Sequence, residues 1–231
     1  MARIDKGALT KTEIIAEATK QFLEKGYSNT PISDIAKALE MSPGNLTFHY
    51  PTKEHLLVVL VEILCKYQWK ILEEEANEGI SSVMAICLEL TTIVSACETD
   101  SVIRDFFLAS YYSPMCLDVI RRNDARRAKE VFGAYRPEWT DQQFAEAEII
   151  VSGIELATLI NAGDPVPLET RIAGALDSIL HIYGVPKTLR EEKLAKVFAM
   201  DYKKLCKQVL AGFKQYVSET NDQSFRTLFQ R

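Results

Sequence analysis

The sequence predicts an all-α protein: a three-helix N-terminal head joined by a long helix to an all-helical body. Three observations carry this. Apolar residues recur at three- and four-residue spacing through almost every segment, which places them on one face of a helix. No stretch alternates apolar and polar residues convincingly at strand length. Start signals crowd the first quarter of the chain, where Thr30-Pro31 and Ser42-Pro43 each set a hydroxyl before a proline.

Residues 10–25 form the first predicted helix, with Ile14, Ile15, Ala18, Phe22 and Leu23 on one face and Gly26 as its stop. Thr30-Pro31 then opens the short helix "ISDIAKAL", which turns Ile32, Ile35, Ala36 and Leu39 inward. Ser42-Pro43 opens a third helix of about two turns, and Thr52 opens a long one through "EHLLVVLVEILCKYQWKILEEEA". Further helices are predicted at about 80–98, 101–112, 115–134, 141–161, 167–183 and 188–218, with Pro186 breaking the chain before the last. "NAGDPVPLE" at 161–169 is the clearest internal loop, and "ETNDQSFRTLFQR" reads as a loose tail or a short extra helix. The domain division is a head at 1–55 and a body at 56–231.

The 231 residues are 47% hydrophobic, enough for a sizeable core and against disorder. The net charge of −5 is unevenly spread. Residues 1–55 hold seven basic and seven acidic side chains, so the whole deficit lies in the body and only the head can approach a polyanion. Five cysteines without CxxC spacing are expected to be reduced core thiols. The N-terminus has no apolar segment, and "LLVVLVEILC" is too short to span a bilayer and contains Glu62. A soluble, cytoplasmic protein with no membrane partner is expected.

Two short helices separated by "EMS" have the layout of a helix-turn-helix, at about 31–50. In that motif the second helix enters the DNA major groove and the first braces it. With Leu46 turned inward, Pro43, Gly44, Asn45, Thr47, Phe48 and His49 form an outward face without a carboxylate. Such groups suit base edges, sugars and thymine methyls. Thr52 and Lys53 begin the next helix, whose free N–H groups favour a phosphate. Taken alone, the same residues also fit a plain tight corner of a helical domain.

"IIAEATKQFLEKGYSNTPISDIAKALEMSPGNLTFHYPTKEHLL" resembles the N-terminal domain of the TetR/AcrR family of bacterial transcriptional regulators. The likeness covers about 45 residues and includes Ile14, Ala18, Phe22, Gly26-Tyr27, Ile35-Ala36, Ser42, Gly44, Leu46, His49-Tyr50, Lys53-Glu54 and Leu56-Leu57 in register. The resemblance implies groove contacts at Pro43, Asn45, Thr47, Phe48 and His49, and phosphate contacts at Ser33, Tyr50 and Lys53. Thr47 stands where the family commonly has tyrosine. His49 has no His, Cys or carboxylate at ligand spacing, and neither a metal nor a cofactor is expected.

In the body, "DQQFAEAEIIVSGIELATLINAG" is apolar nearly all round, as is a helix buried on more than one side. The expected dimer surface is Phe144, Ala147, Val151, Ile154 and Thr158, with Ile172, Leu176, Ile179 and Tyr183 from the next helix. The alternative is a wholly internal core helix. His181 is expected at a core or interface position. Tyr67, Trp69, Thr91, Phe107, Tyr111, Tyr112 and Met115 are candidates to line an effector pocket, against the alternative of ordinary aromatic core. Glu155 interrupts the most apolar helix. It either pairs with an arginine such as Arg171 or anchors a cationic or hydrogen-bonding effector.

No nucleophile–base pair, metal cluster or phosphate loop is present, so no enzyme is expected. The reading is a homodimeric repressor that holds a pseudo-palindromic operator in double-stranded DNA and is released by an unidentified small-molecule effector. The alternative is a DNA-bound adaptor of the same fold whose body recruits a protein partner.

Overall fold

Eleven α-helices and one 3-10 turn make up the computed structural model, which describes residues 6–77, 82–161 and 163–219. The head contains α1 (Lys6–Lys25), α2 (Ile32–Ala38) and α3 (Pro43–His49). The body follows with α4 (Lys53–Asn77), α5 (Ser82–Thr99), α6 (Ser101–Tyr112), α7 (Pro114–Phe132), a 3-10 turn at Gly133–Tyr135, α8 (Asp141–Ile160), α9 (Leu168–Ile182), α10 (Lys187–Ala199) and α11 (Tyr202–Glu219). The expected tail lies outside the described residues, apart from its first position.

The apolar spacing explains the head. Ile14, Ile15, Ala18 and Phe22 of α1 meet Ile35 and Ala36 of α2, Leu46 of α3, and Leu56, Leu57 and Leu60 of α4, all fully buried. Helix α4 crosses the expected boundary at 55/56 unbroken, and its later residues Val61, Ile63 and Cys65 continue the same core into the body.

Helix ends follow local chemistry. The α2–α3 turn closes with Met41 N–H on the Ala36 carbonyl at 3.0 Å and Glu40 N–H on the Lys37 carbonyl at 3.2 Å. This doubly bonded ending needs a left-handed residue, and Glu40 supplies it at φ 53°. The end of α9 repeats the pattern with Gly184 at φ 75°. Asp100 caps α6 by accepting from Val102 and Ile103 N–H, and Thr140 with Gln143 forms a reciprocal cap on α8. Thr30 does not cap α2. Its hydroxyl donates back to the Gly26 carbonyl at 2.7 Å, and Pro31 takes the cap position without a side-chain bond.

Helix α5 lies at the centre of the body, against α4, α6 and α8 to α11. It is long and apolar enough by composition to cross a membrane, yet 67% of it is buried among the other helices. The predicted last helix is two: Met200 is extended, and Asp201 accepts from Lys204 N–H at 3.0 Å to start α11. All five cysteines are buried and unpaired.

The expected dimer surface requires correction. Phe144, Ala147, Val151, Thr158, Ile172, Leu176, Ile179 and Tyr183 are buried within this one chain, and Ile154 is partly buried against the same core. Tyr183 stacks on Phe132 with centroids 4.5 Å apart, and Ile172 and Leu176 have no exposure at all. A helix apolar all round has two apolar faces, and spacing alone does not say which one turns inward. The outward one carries Ile149, Ile150 and Ile160, exposed by 54%, 59% and 47%. His181 is exposed on α9, not in the core.

Candidate functional site

The outward face of α3 is set by its start and its one anchor. Ser42 Oγ accepts from Asn45 N–H at 3.2 Å, Pro43 occupies the first turn, and Leu46 is fully buried, which fixes the rotation of the helix. Pro43, Gly44 and Asn45 are exposed as a result, while Thr47 and His49 are half-buried at the edge. Phe48 projects with 83% exposure and meets the His49 ring edge-on at 5.4 Å. Covering such a ring is favourable by about 1.5–3 kcal/mol. Thr47 Oγ1 donates to the Gly44 carbonyl at 3.2 Å. Ser33 is exposed in the first turn of α2.

Two expected phosphate contacts take other places. Tyr50 is almost wholly buried as part of the head core, and its hydroxyl has no hydrogen-bond partner among the described residues. Burial pushes its phenol well above the ordinary value. Lys53 Nζ donates to the Tyr27 carbonyl at 2.8 Å and lies 4.2 Å from the Tyr27 ring centroid. That ammonium ties α4 to the α1–α2 turn and does not project outward. Desolvation lowers its pKa, with Asp105 opposing.

The body encloses two adjoining cavities. One is mainly apolar, between α4, α5, α6 and α11, and includes Tyr67, Phe107, Val209 and Phe213. The other, of about 930 Å³ counted out to its mouth, lies between α4 to α9 and includes Phe107, Tyr111, Phe132 and Glu155. Glu89 and Arg127 line both, and Gln68 donates to Glu89 on the same shared wall. Apolar and aromatic walls with a few polar groups are the lining that small-molecule pockets have.

Of the expected pocket residues, Tyr67, Phe107, Tyr111 and Glu155 line these cavities. Trp69 does not; its ring faces the guanidinium groups of Arg126 and Arg127 at 5.1 and 6.0 Å. Thr91 is core, its hydroxyl donating to the Cys87 carbonyl at 2.7 Å. Tyr112 and Met115 point to solvent, with 64% and 41% exposure, because the end of α6 and the start of α7 turn them away from the core. Glu155 accepts from Tyr111 Oη at 2.8 Å, while Arg171 pairs with Glu98 at 2.7 Å, so the expected Glu155–Arg171 pair does not form.

Sequence reasoning missed four charged members of the second cavity: Glu89, Asp124, Arg127 and Glu148. Arg127 is buried and pairs with Glu89 and Asp124. Glu148 is 2% exposed and accepts from Tyr183 through one oxygen. Burial first, then the Asp124 charge, pushes Glu148 up to about 8. Burial likewise raises Asp124 to about 6 and holds Glu155 well above the carboxylate range. The signal for Glu148 was present, since it stands seven residues before Glu155 and so on the same helix face.

Residues 14–60 match the family model for bacterial regulatory proteins, tetR family. The HTH-type transcriptional regulator QacR of Staphylococcus aureus (strain Mu50 / ATCC 700699) is 36% identical over 63 residues, 26% of this chain and 34% of QacR. The biofilm operon icaADBC HTH-type negative transcriptional regulator IcaR of Staphylococcus aureus (strain Newman) is 30% identical over 76 residues, 33% of this chain and 41% of IcaR. The matched stretch thus spans about a third to two-fifths of these relatives. A solved structure described as "Molecular basis for control of antibiotic production by a bacterial hormones" covers 87% of this chain and 96% of its own at 18% identity and a TM-score of 0.36. The likeness is thus confined to the three-helix head, whose residues 14–60 match the tetR family of bacterial regulatory proteins.

Proposed function

We propose that the protein is a homodimeric repressor that holds a pseudo-palindromic operator and is released when a small molecule fills the body cavity. The observation that carries the DNA-binding part is the outward face of α3, with Asn45 and Phe48 exposed on a helix whose rotation Leu46 fixes. Pro43, Asn45, Thr47, Phe48 and His49 are assigned to the groove and Ser33 to a backbone phosphate. Tyr50 and the Lys53 ammonium are withdrawn from that set.

Dimerisation is assigned to the exposed face of α8 and α9. Ile149, Ile150 and Ile160 lie there with Gly153 and, on α9, Gly174, and a Cβ at either glycine would meet nothing within 4 Å. A second copy gains apolar burial and a close helix approach on this face, and two copies of the pair make a four-helix bundle.

Release is assigned to α6. Its Phe107 and Tyr111 line the cavity, while Asp105 on the same helix accepts from Ser28 in the head. Ser113, after α6, donates to Glu54 at the start of α4. A ligand that displaces α6 therefore moves the footing of both helices that carry the head.

The test is a gel-shift titration on the DNA flanking the protein's own gene. Sequence-selective, salt-sensitive binding by a dimer is expected. Equal affinity for that DNA and for a scrambled duplex would remove the operator reading.

A further inference from the structure

We infer that the cavity beneath α8 takes an organic cation with a flat apolar body, whose charge is seated beside Glu148 and Glu155. This deepens the proposed sensing function and rests on the cavity being the effector site.

Charge count comes first. The lining holds four carboxyl groups, Glu89, Asp124, Glu148 and Glu155, against the single guanidinium of Arg127. Arg127 is engaged at its terminal nitrogens, donating to Glu89 through both and to Asp124 at 3.4 Å, while its Nε is buried without a hydrogen-bond partner among the described residues. It makes no hydrogen bond to Glu148 or Glu155. Arg121, the other nearby cation, donates to Ser152 at 2.8 Å.

The unfilled acceptor comes second, and it is independent of the count. Glu148 Oε1 accepts from Tyr183, while its Oε2, in the cavity wall, is buried without a hydrogen-bond partner among the described residues. A buried carboxyl oxygen without a partner is unfavourable, and a positive ligand group offsets that cost. The wall around it fits the body of such a ligand. Tyr111, Phe107, Phe132 and Tyr183 are spread around the lining, and aromatic faces attract organic cations. The carboxylates come from α5, α7 and α8, and among the described residues no three ligating side chains gather to hold a metal ion. A diffuse organic charge suits that spread.

Without a cation, Glu148 and Glu155 keep protons, because burial and the neighbouring carboxylates, Asp124 foremost, raise both. A cation favours their ionised forms, so binding expels a proton and strengthens as pH rises. A neutral ligand that only accepts hydrogen bonds would show the opposite trend.

The experiment is calorimetry on the unaltered protein with phenyltrimethylammonium, its neutral isostere tert-butylbenzene, and benzoate. The cation should bind at least tenfold more tightly than either, gain about tenfold per pH unit from 6 to 8 with one proton released, and level off above pH 8. Glu148→Gln, which keeps volume and the Tyr183 acceptor, should abolish most of the pH dependence. The wild-type comparison stands even where that variant fails to fold. Equal or tighter binding of tert-butylbenzene, preference for benzoate, or no binding of any of the three overturns the proposal. These titrations contain no DNA. Failure of the cation preference is therefore distinct from failure of operator binding, and uptake of a neutral or anionic probe would leave a sensing cavity without this selectivity.

Discussion

Asp105 on α6 accepts both the backbone N–H of Ser28, at 2.7 Å, and its hydroxyl, at 2.5 Å. Gly26 makes room for this: a Cβ there would lie 2.9 Å from the Asp105 carboxylate, and its φ of 93° is itself left-handed. The head is therefore fastened to the body by a charge-assisted pair of bonds. Asp105→Asn should cost about 1.5 kcal/mol locally and speed amide exchange at Ser28 roughly tenfold. Exchange in α8, far along the chain, should stay unchanged. Unaltered exchange at Ser28 would mean that other contacts hold the turn.

Two helix ends share one hydrogen-bond pattern and differ in the residue at the left-handed position. Gly184 fits it freely, whereas Glu40 adopts it against the steric preference of an L-residue, at about 1–2 kcal/mol. Part of that is offset by the extra freedom glycine gives the unfolded chain. Glu40→Gly should thus stabilise the protein by about 0.5–1 kcal/mol and raise Tm by roughly 1–4 °C. Gly184→Ala should do the reverse, and more strongly, since its Cβ would come within 2.9 Å of the Arg136 guanidinium. A lower Tm for Glu40→Gly would point to a stabilising role of the glutamate side chain.

Lys53 illustrates how an outward assignment fails. Its place at the start of α4 marks it for a phosphate, yet a four-carbon stem reaches Tyr27, and the turn ending α1 presents both a carbonyl and a ring. Lys53→Ala should lower stability by about 1 kcal/mol, a value reduced for the partial exposure of the pair. It should change the salt dependence of DNA binding by less than one phosphate contact. A full unit lost from the salt slope, with Tm unchanged, would restore Lys53 to the DNA backbone.

The head was legible because its constraints are local. Proline, the capping hydroxyl of Ser42 and apolar spacing define one long and two short helices within about 45 residues, and the rotation of α3 follows once Leu46 is inward. The body was legible as helices but not as faces. In α8 the apolar residues run round the helix, so Val151 and Ile150 look alike until tertiary packing buries the first and exposes the second. Arg127 lies in the strongly charged "RRNDARRAKE", where a solvated helix is the natural expectation. Only the assembly of α4, α5 and α8 around α7 shows that one of its arginines is buried. The break before α11 had a signal in Asp201, obscured by the helix formers on either side.

The dimer assignment separates two kinds of isoleucine and leucine. Ile150→Asp on the exposed face should yield a monomer of unchanged helical content and weaken operator binding at least a hundredfold, since paired half-sites are lost. Leu176→Ala in the core should cost about 2–5 kcal/mol and leave the folded protein dimeric. Sedimentation of both variants decides it: a dimeric Ile150→Asp protein would move the interface elsewhere.

Glu148 sets the pH dependence of stability. Its folded pKa of about 8 exceeds the ordinary 4.5, so between those limits the folded chain binds a proton that the unfolded chain does not. The stabilisation is fully present below about pH 4.5 and is lost as pH rises through 8. Its magnitude is on the order of 1 kcal/mol per pH unit across that window. Glu155, raised by the same burial and by Asp124 and Glu148, acts in the same direction. Asp124, raised to about 6, adds to it at the acid end. Denaturant melts at pH 6 and pH 8 should therefore show the unaltered protein less stable at pH 8. Glu148→Gln should lose much of that difference, because its amide stays neutral throughout. A protein equally stable at both pH values would show that water or an internal rearrangement solvates the Glu148 carboxylate, and the unfilled oxygen would cease to be a cost.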